Sequence, residues 1–279
     1  MDVSLRDLQL CELDILKAVK RVCEENNLTY YLSSGTLLGA VRHQGFIPWD
    51  DDIDIEMPYP DYCKFIEIAQ EQLGEDYFVQ NNRTEDTFHA LFTKVINVHT
   101  TMYGEFDVGL PGSHGVWIDV FPLIHVGGKW DLFCRRLCVR TSNFIMMDSK
   151  RFDRDREYLR GRSSKFAFAV VVLLRKLPKK VKRELSSLLR KRVFRAKKGA
   201  RMAHVWQNIT YVHPAFVFKD PPQMLPFEDD VFSCPADSKE YLRNAYGDYM
   251  RLPPEDQRDG GHGKIIVDLE HSWKERLFE

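Results

Sequence analysis

The chain has 279 residues, 44% apolar and 29% charged, with a formal net charge of −1. This length and apolar share are those of a soluble protein with a sizeable core. The six cysteines (11, 23, 63, 134, 138 and 234) form no C-x-x-C pair, and no apolar run reaches the ~18 residues of a membrane span. With Asp2, Arg6 and Asp7 interrupting the start, no secretory leader is expected, so the thiols are expected reduced and the protein cytoplasmic.

Ser4 and Asp7 resemble a capping box, and Leu5, Leu8, Ile15, Val19 and Val22 recur at helical spacing to about residue 25. Leu28 to Ser33 is short and β-prone; "SSGT" follows, then a helix over about 37–43 and a turn at Gly45 and Pro48. Asp52 to Met57 alternates polar with apolar, which predicts a strand with its acids on one face and Ile53, Ile55 and Met57 on the other. Pro60 to Leu73 reads as a helix ended by Gly74, with strands expected near 77–80, 89–97 and 115–121.

From Lys129 to about Trp206 the pattern is helical and basic. Residues 129–201 hold 24 Lys/Arg against six Asp/Glu, while the rest of the chain is strongly acidic. Such asymmetry fits an anionic membrane surface or a solvated helical face. Nucleic acid is not expected as a partner, because the basic residues avoid the acidic segment. A hairpin around Asp229 and Asp230, a helix over about 237–246 and a β-prone tail complete the chain. The expected fold is α/β (α+β): a mixed sheet flanked by helices. Residues 1–128 form its core, 129–206 a basic helical insertion, and 207–279 its C-terminal part.

The chemistry concentrates in "FIPWDDDIDIEMP", residues 46–58. Asp52 and Asp54, two apart on a strand, lie on one face with Cα atoms roughly 7 Å apart. Such a pair suits Mg²⁺ or Mn²⁺, which take carboxylate oxygens and keep waters for a phosphate substrate. Asp119 in "GVWIDVF" is the candidate third carboxylate, and Asp50 a candidate outer ligand. An EF-hand does not fit, since Ile55 and Asp61 stand where the loop needs Gly and Glu. Upstream, Ser34, Gly35 and Thr36 open a helix whose N-terminus favours phosphate. Arg42, Lys94, Arg258 and His262 are candidate phosphate contacts, and Trp49, Tyr103, Trp117 and Tyr246 candidate walls for a cationic headgroup. Together they describe metal-dependent transfer at a nucleotide phosphate.

Three blocks, "YYLSSGTLLGAVRHQGFIPWDDDIDIEMP", "GVWIDVFPL" and "YLRNAYGDYMRLPPEDQR", resemble the LicD family of phosphocholine transferases, with the fukutin-related proteins as distant relatives. The similarity runs over about residues 5–125 and 220–262. It implies a nucleotidyltransferase-like fold. It also implies transfer of a phospho-alcohol group, most often phosphocholine from CDP-choline, to a hydroxyl of a cell-surface glycan or its lipid-linked precursor, with release of CMP. Teichoic acid, lipopolysaccharide and capsule are the family's acceptors, which places the expected reaction at the inner membrane face, with the protein peripheral there. Residue by residue, Gly35 and Thr36 stand at the phosphate-binding pair, where Thr36 replaces the commoner Gly or Ser. Asp52 and Asp54 stand at the metal pair, and Asp119 at the third carboxylate. Two rival expectations are a nucleotidyltransferase that moves NMP from an NTP with pyrophosphate release, and a non-enzymatic membrane-surface binder.

Overall fold

The computed structural model describes residues 3–104, 112–153, 165–206, 208–209, 211–258, 260 and 265–275. Helix α1 (Leu5–Glu25) opens with the expected capping box: the Asp7 N–H donates to Ser4 Oγ at 3.1 Å and the Ser4 N–H to Asp7 Oδ2 at 3.3 Å. Its buried stripe is Leu8, Gln9, Glu12, Leu13, Ile15, Leu16, Val19, Val22 and Cys23, so two polar residues sit inside an otherwise apolar face. Strand β1 (Tyr31–Leu32) leads into α2 (Ser34–His43), which ends where Gln44 turns left-handed at φ 59°. Then come β2 (Asp54–Pro58) and α3 (Tyr59–Leu73), the latter with Pro60 in its first turn, where a missing N–H costs nothing.

Strands β3 (Tyr77–Gln80), β4 (Thr93–Asn97), β5 (Thr101–Gly104) and β6 (Trp117–Val126) follow. The main sheet runs β1-β2-β6-β4-β3, mixed because β2 and β6 are parallel and the other pairs antiparallel. Ile53, Ile55, Met57, Val95, Ile118 and Val120 are fully buried in the core that α1 and α3 cover. Each such side chain stabilises the fold by about 1.5–3 kcal/mol.

The basic segment forms α4 (Lys129–Met146), α5 (Lys165–Arg175) and α6 (Lys179–Val193). Its buried anchor is Arg135, which donates to Asp131 at 2.9 Å, to the Arg195 carbonyl at 3.0 Å and to the Val193 carbonyl. The helical reading to residue 206 stops at Val193. Residues 201–204 instead form β7, which pairs antiparallel with the far half of β6 and carries β8 (His213–Pro214). Sheet pairing overrides the helical pattern there, because β6 outruns β4 and leaves that edge open. The hairpin β9 (Gln223–Phe227) and β10 (Asp230–Cys234), helix α7 (Ser238–Tyr246) and β11 (Ile265–Asp268), which pairs with β5, close the molecule.

Candidate active site

Strand register builds the centre of the site. Asp54 on β2 lies beside Asp119 on β6, which lies beside Lys94 on β4, which lies beside Gln80 on β3. Two acids and a base therefore form one row across the sheet. Lys94 Nζ is 3.4 Å from Asp119 Oδ1 and 3.5 Å from the centroid of Trp117. The cation is thus committed to both the carboxylate and the indole face.

The first turn of α2, with its N-cap Ser33, locks onto this row, three residues earlier than the helix start at 37 expected from the sequence. The Thr36 hydroxyl accepts the Asp54 N–H at 2.8 Å, and the Ser33 N–H donates to the Asp54 carbonyl at 3.0 Å. Thr36 is buried, so its hydroxyl fixes the strand to the turn; Ser34 and Gly35 are the partly accessible members of the turn. Ser34 holds φ at 47°, an unfavourable left-handed conformation for a residue with a side chain. A side chain on Gly35 would lie 2.9 Å from Asp50 Oδ2, so the glycine permits the acidic segment to approach the helix start.

Strand β2 begins at Asp54, leaving Asp50, Asp51 and Asp52 in the segment that leads into it. Carboxylate oxygens of these three lie within 4.8 Å of one another, the one potential metal-holding group of this kind among the described residues. The sequence reading paired Asp52 with Asp54 and preferred Asp50 to Asp51 as an outer ligand; the tightest cluster holds both with Asp52. Asp54 adjoins the triad, with its carboxyl held well above the usual range by burial, then by the charges of Asp52, Asp119 and Asp50, while a Ser34 hydrogen bond works in the opposite direction. An all-oxygen, all-anionic donor set fits a hard divalent cation such as Mg²⁺ or Mn²⁺.

Arg42 feels the charge of Asp50 and donates to the Tyr249 carbonyl at 3.0 Å. Arg258 lies with its guanidinium 5.3 Å from the Trp49 ring centroid and donates to the Pro253 carbonyl at 3.0 Å. Both arginines therefore tie the C-terminal segment to the acidic one. Gly260 is part of that closure, since a Cβ there would lie 2.4 Å from the Asp51 carboxylate carbon. His262 lies outside the described residues. Of the aromatic candidates, Trp49 and Trp117 already face cations, and Tyr103 stacks on His114 at 4.3 Å. Tyr246 lies 6.1 Å from the Tyr211 ring and feels the charges of Asp54, Asp50 and Asp52.

Two further acids lie beyond the candidate residues. Glu56, on β2, is fully buried, with Oε2 3.3 Å from His204 Nδ1. Burial raises its carboxyl, and hydrogen bonds from His204, Tyr241 and Ser33 lower it. Ser33 Oγ and the Tyr241 hydroxyl are 2.9 Å apart, so the network reaches the turn that carries Ser34. Glu12 is also fully buried, near Asp50, Asp51, Asp52 and Asp119. Its signal was legible: an acid one turn from Leu8 and from Leu16, interrupting the apolar stripe.

Residues 27–136, which contain the turn, the acidic segment and Asp119, match the family model "LicD/FKTN/FKRP, nucleotidyltransferase domain". The lipopolysaccharide cholinephosphotransferase LicD of Haemophilus influenzae is 27% identical over 285 aligned residues, covering 93% of this chain and 96% of LicD. An uncharacterized protein of Rickettsia prowazekii is 47% identical over 87 residues, 30% of this chain and 32% of that protein. The human ribitol 5-phosphate transferase FKRP is 27% identical over 103 residues, 35% of this chain and 21% of FKRP. Residues 27–136 are thus similar to the nucleotidyltransferase domain of the LicD/FKTN/FKRP family, and the chain is similar to a cholinephosphotransferase along nearly its whole length.

Proposed function

We propose that this protein transfers a phospho-alcohol group, phosphocholine in the first instance, from a CDP-activated donor to a hydroxyl of a cell-surface glycan or its lipid-linked precursor, releasing CMP. The observation that carries the reading is the meeting of the α2 start with the acidic segment: Ser34 and Gly35 stand beside Asp50, Asp51, Asp52 and Asp54, with Asp119 in register. The similarity to a lipopolysaccharide cholinephosphotransferase and to a ribitol 5-phosphate transferase supports the substrate class.

Asp50, Asp51 and Asp52, with Asp54 and Asp119 adjoining, would hold Mg²⁺ or Mn²⁺, which supplies charge neutralisation at the diphosphate. The N-terminal peptide groups of α2 orient the donor phosphates. Arg42 adds positive charge on the same side, and Lys94 balances Asp119. The acceptor oxygen forms a new bond to the phosphorus bearing the alcohol. The bond from that phosphorus to the CMP oxygen breaks, and the hydroxyl proton passes to a carboxylate of the cluster. Positioning and electrostatics carry most of such a rate enhancement.

No helix among the described residues is long and apolar enough to cross a membrane. A lipid-linked acceptor would instead be met at the surface. The outer side of α4 exposes Trp130 (75%), Phe133 (54%) and Leu137 (55%) at i, i+3 and i+7, with exposed Lys129 and Arg140 alongside. An apolar stripe bordered by cations fits the headgroup region of an anionic bilayer.

The test is purified protein with Mg²⁺ and a panel of CDP-alcohols, with and without lipid-linked glycan, reading CMP release. CMP release that depends on acceptor and is lost in Asp54→Asn supports the reading. Pyrophosphate release from an NTP would replace it with NMP transfer, and turnover unchanged in Asp52→Ala and Asp54→Asn would defeat both.

A further inference from the structure

Glu12 is the buried acid that nothing in the fold accounts for. It is fully buried, and neither carboxylate oxygen has a hydrogen-bond partner among the described residues. Its surroundings are anionic: the charges acting on it are, strongest first, Asp52, Asp51, Asp50 and Asp119. Helix α1 is pinned to the acidic segment by Gln9, one turn earlier on the same face. Gln9 Nε2 donates to the Asp50 carbonyl at 2.9 Å and to the Ile47 carbonyl at 3.4 Å. Gln9 thus ties the helix that carries Glu12 to the segment that carries Asp50, Asp51 and Asp52.

A purely structural role is a poor account of this. An apolar residue at position 12 would complete the stripe of Leu8, Ile15, Leu16 and Val19 at no desolvation cost. A carboxylate buried without a donor beside other carboxylates is tolerated only if something positive or a proton sits among them. Lys94, the cation nearest the row, is engaged with Asp119 and Trp117.

We propose that Glu12 is a ligand of a divalent cation held jointly with Asp50, Asp51 and Asp52, so that helix α1 supplies part of the metal site from outside the acidic run. The class is a hard, oxygen-ligated ion, Mg²⁺ or Mn²⁺, since the cluster of Asp50, Asp51 and Asp52 and the Glu12 carboxylate beyond it offer neither nitrogen nor sulfur. The inference rests on the metal-dependent reading above and extends it to a residue some 40 positions upstream of the acidic segment. It also gives α1 a function beyond covering the sheet: loading of the ion would fasten the N-terminal helix to the catalytic turn.

The experiment is a titration of the full chain with Mn²⁺ alone, read by electron paramagnetic resonance of free Mn²⁺ and by thermal unfolding. The proteins are wild type, Glu12→Gln and Glu12→Met. Expected are binding and a raised melting temperature in wild type, with at least tenfold weaker binding in both variants. Without metal, both variants should melt no lower than wild type, because a buried charge has gone. Two variants of different polarity guard against a folding defect in one of them. Wild-type affinity retained in either folded variant overturns the proposal and marks Glu12 as a buried protonated acid, leaving the transferase reading intact. Absence of Mn²⁺ binding in wild type would instead remove the metal from both.

Discussion

Gly35→Ala separates fold from function with opposite signs. The new Cβ meets no backbone; its nearest atoms are Asp50 Oδ2 at 2.9 Å and Oδ1 at 3.5 Å. Ordinary contact begins at 3.4 Å, so the carboxylate must withdraw by about 0.5 Å. A side-chain end can do this cheaply. Alanine meanwhile favours the helix over glycine by up to about 1 kcal/mol, worth roughly 2–4 °C in melting temperature for a domain of this size. Gly35→Ala is therefore expected to melt at or slightly above the wild-type temperature in the absence of metal. Its Mn²⁺ affinity and kcat/KM should each fall at least tenfold, about 1.4 kcal/mol, because Asp50 leaves its place and the phosphate loses its approach. Gly39→Ala is the control one turn on: its Cβ would lie 2.4 Å from the Gly45 carbonyl oxygen, which is backbone. That overpacking should cost about 1–3 kcal/mol. Calorimetry beside a CMP-release assay reads both effects. A Gly35→Ala protein that is destabilised like Gly39→Ala, or that binds and turns over like wild type, refutes the close-approach argument.

Stability should depend on pH in a way that metal erases. Glu12, Asp54 and Glu56 have carboxyls raised by burial, so their favourable contribution is full below about pH 4 and is lost as pH rises through their folded values. Metal-free protein should thus lose melting temperature toward alkaline pH, and Mg²⁺ or Mn²⁺ should restore it with release of protons; a flat metal-free profile above pH 6.5 contradicts this. On the acid side, burial and the neighbouring His204 depress His213 to about 4, so its contribution is present above about pH 6.5 and disappears as pH falls to about 4. His213→Phe keeps the stacking on Tyr241, whose ring lies 3.9 Å away, and should remove up to roughly 3 kcal/mol of acid sensitivity; an unchanged acid limb in urea melts would show that His213 does not titrate on unfolding. Replacing Trp130, Phe133 and Leu137 together by Ser should cut binding to phosphatidylglycerol vesicles at least tenfold without changing turnover of a soluble acceptor, and equal sedimentation of the variant and wild type would dismiss the α4 stripe as a membrane contact.

The local chemistry was legible in the sequence wherever it repeats with the period of an element. Alternation marked β2 and buried Ile53, Ile55 and Met57, the Ser4–Asp7 box fixed the start of α1, and "SSGT" marked the opening of a helix, although α2 begins at Ser34 rather than near residue 37. The family resemblance agrees with the match over residues 27–136, which holds two of its three motif blocks; the third, at 241–258, lies beyond it. What needed the tertiary structure was which charges meet. The parallel register of β2 with β6 set Asp54 beside Asp119, and the antiparallel register with β4 brought Lys94 to the same row. Packing of α1 buried Glu12 where it feels the charge of the acidic cluster, and the returning C-terminal segment laid Gly260 on Asp51 and Arg258 on Trp49. Periodicity says which face of an element is apolar. It does not say which other element covers that face, because many partners bury apolar area equally well and register is settled by the whole sheet. The sequence alone therefore determined the carboxylates and the turn that serve the site, while the tertiary structure decided which of them share one cluster and which cation answers them.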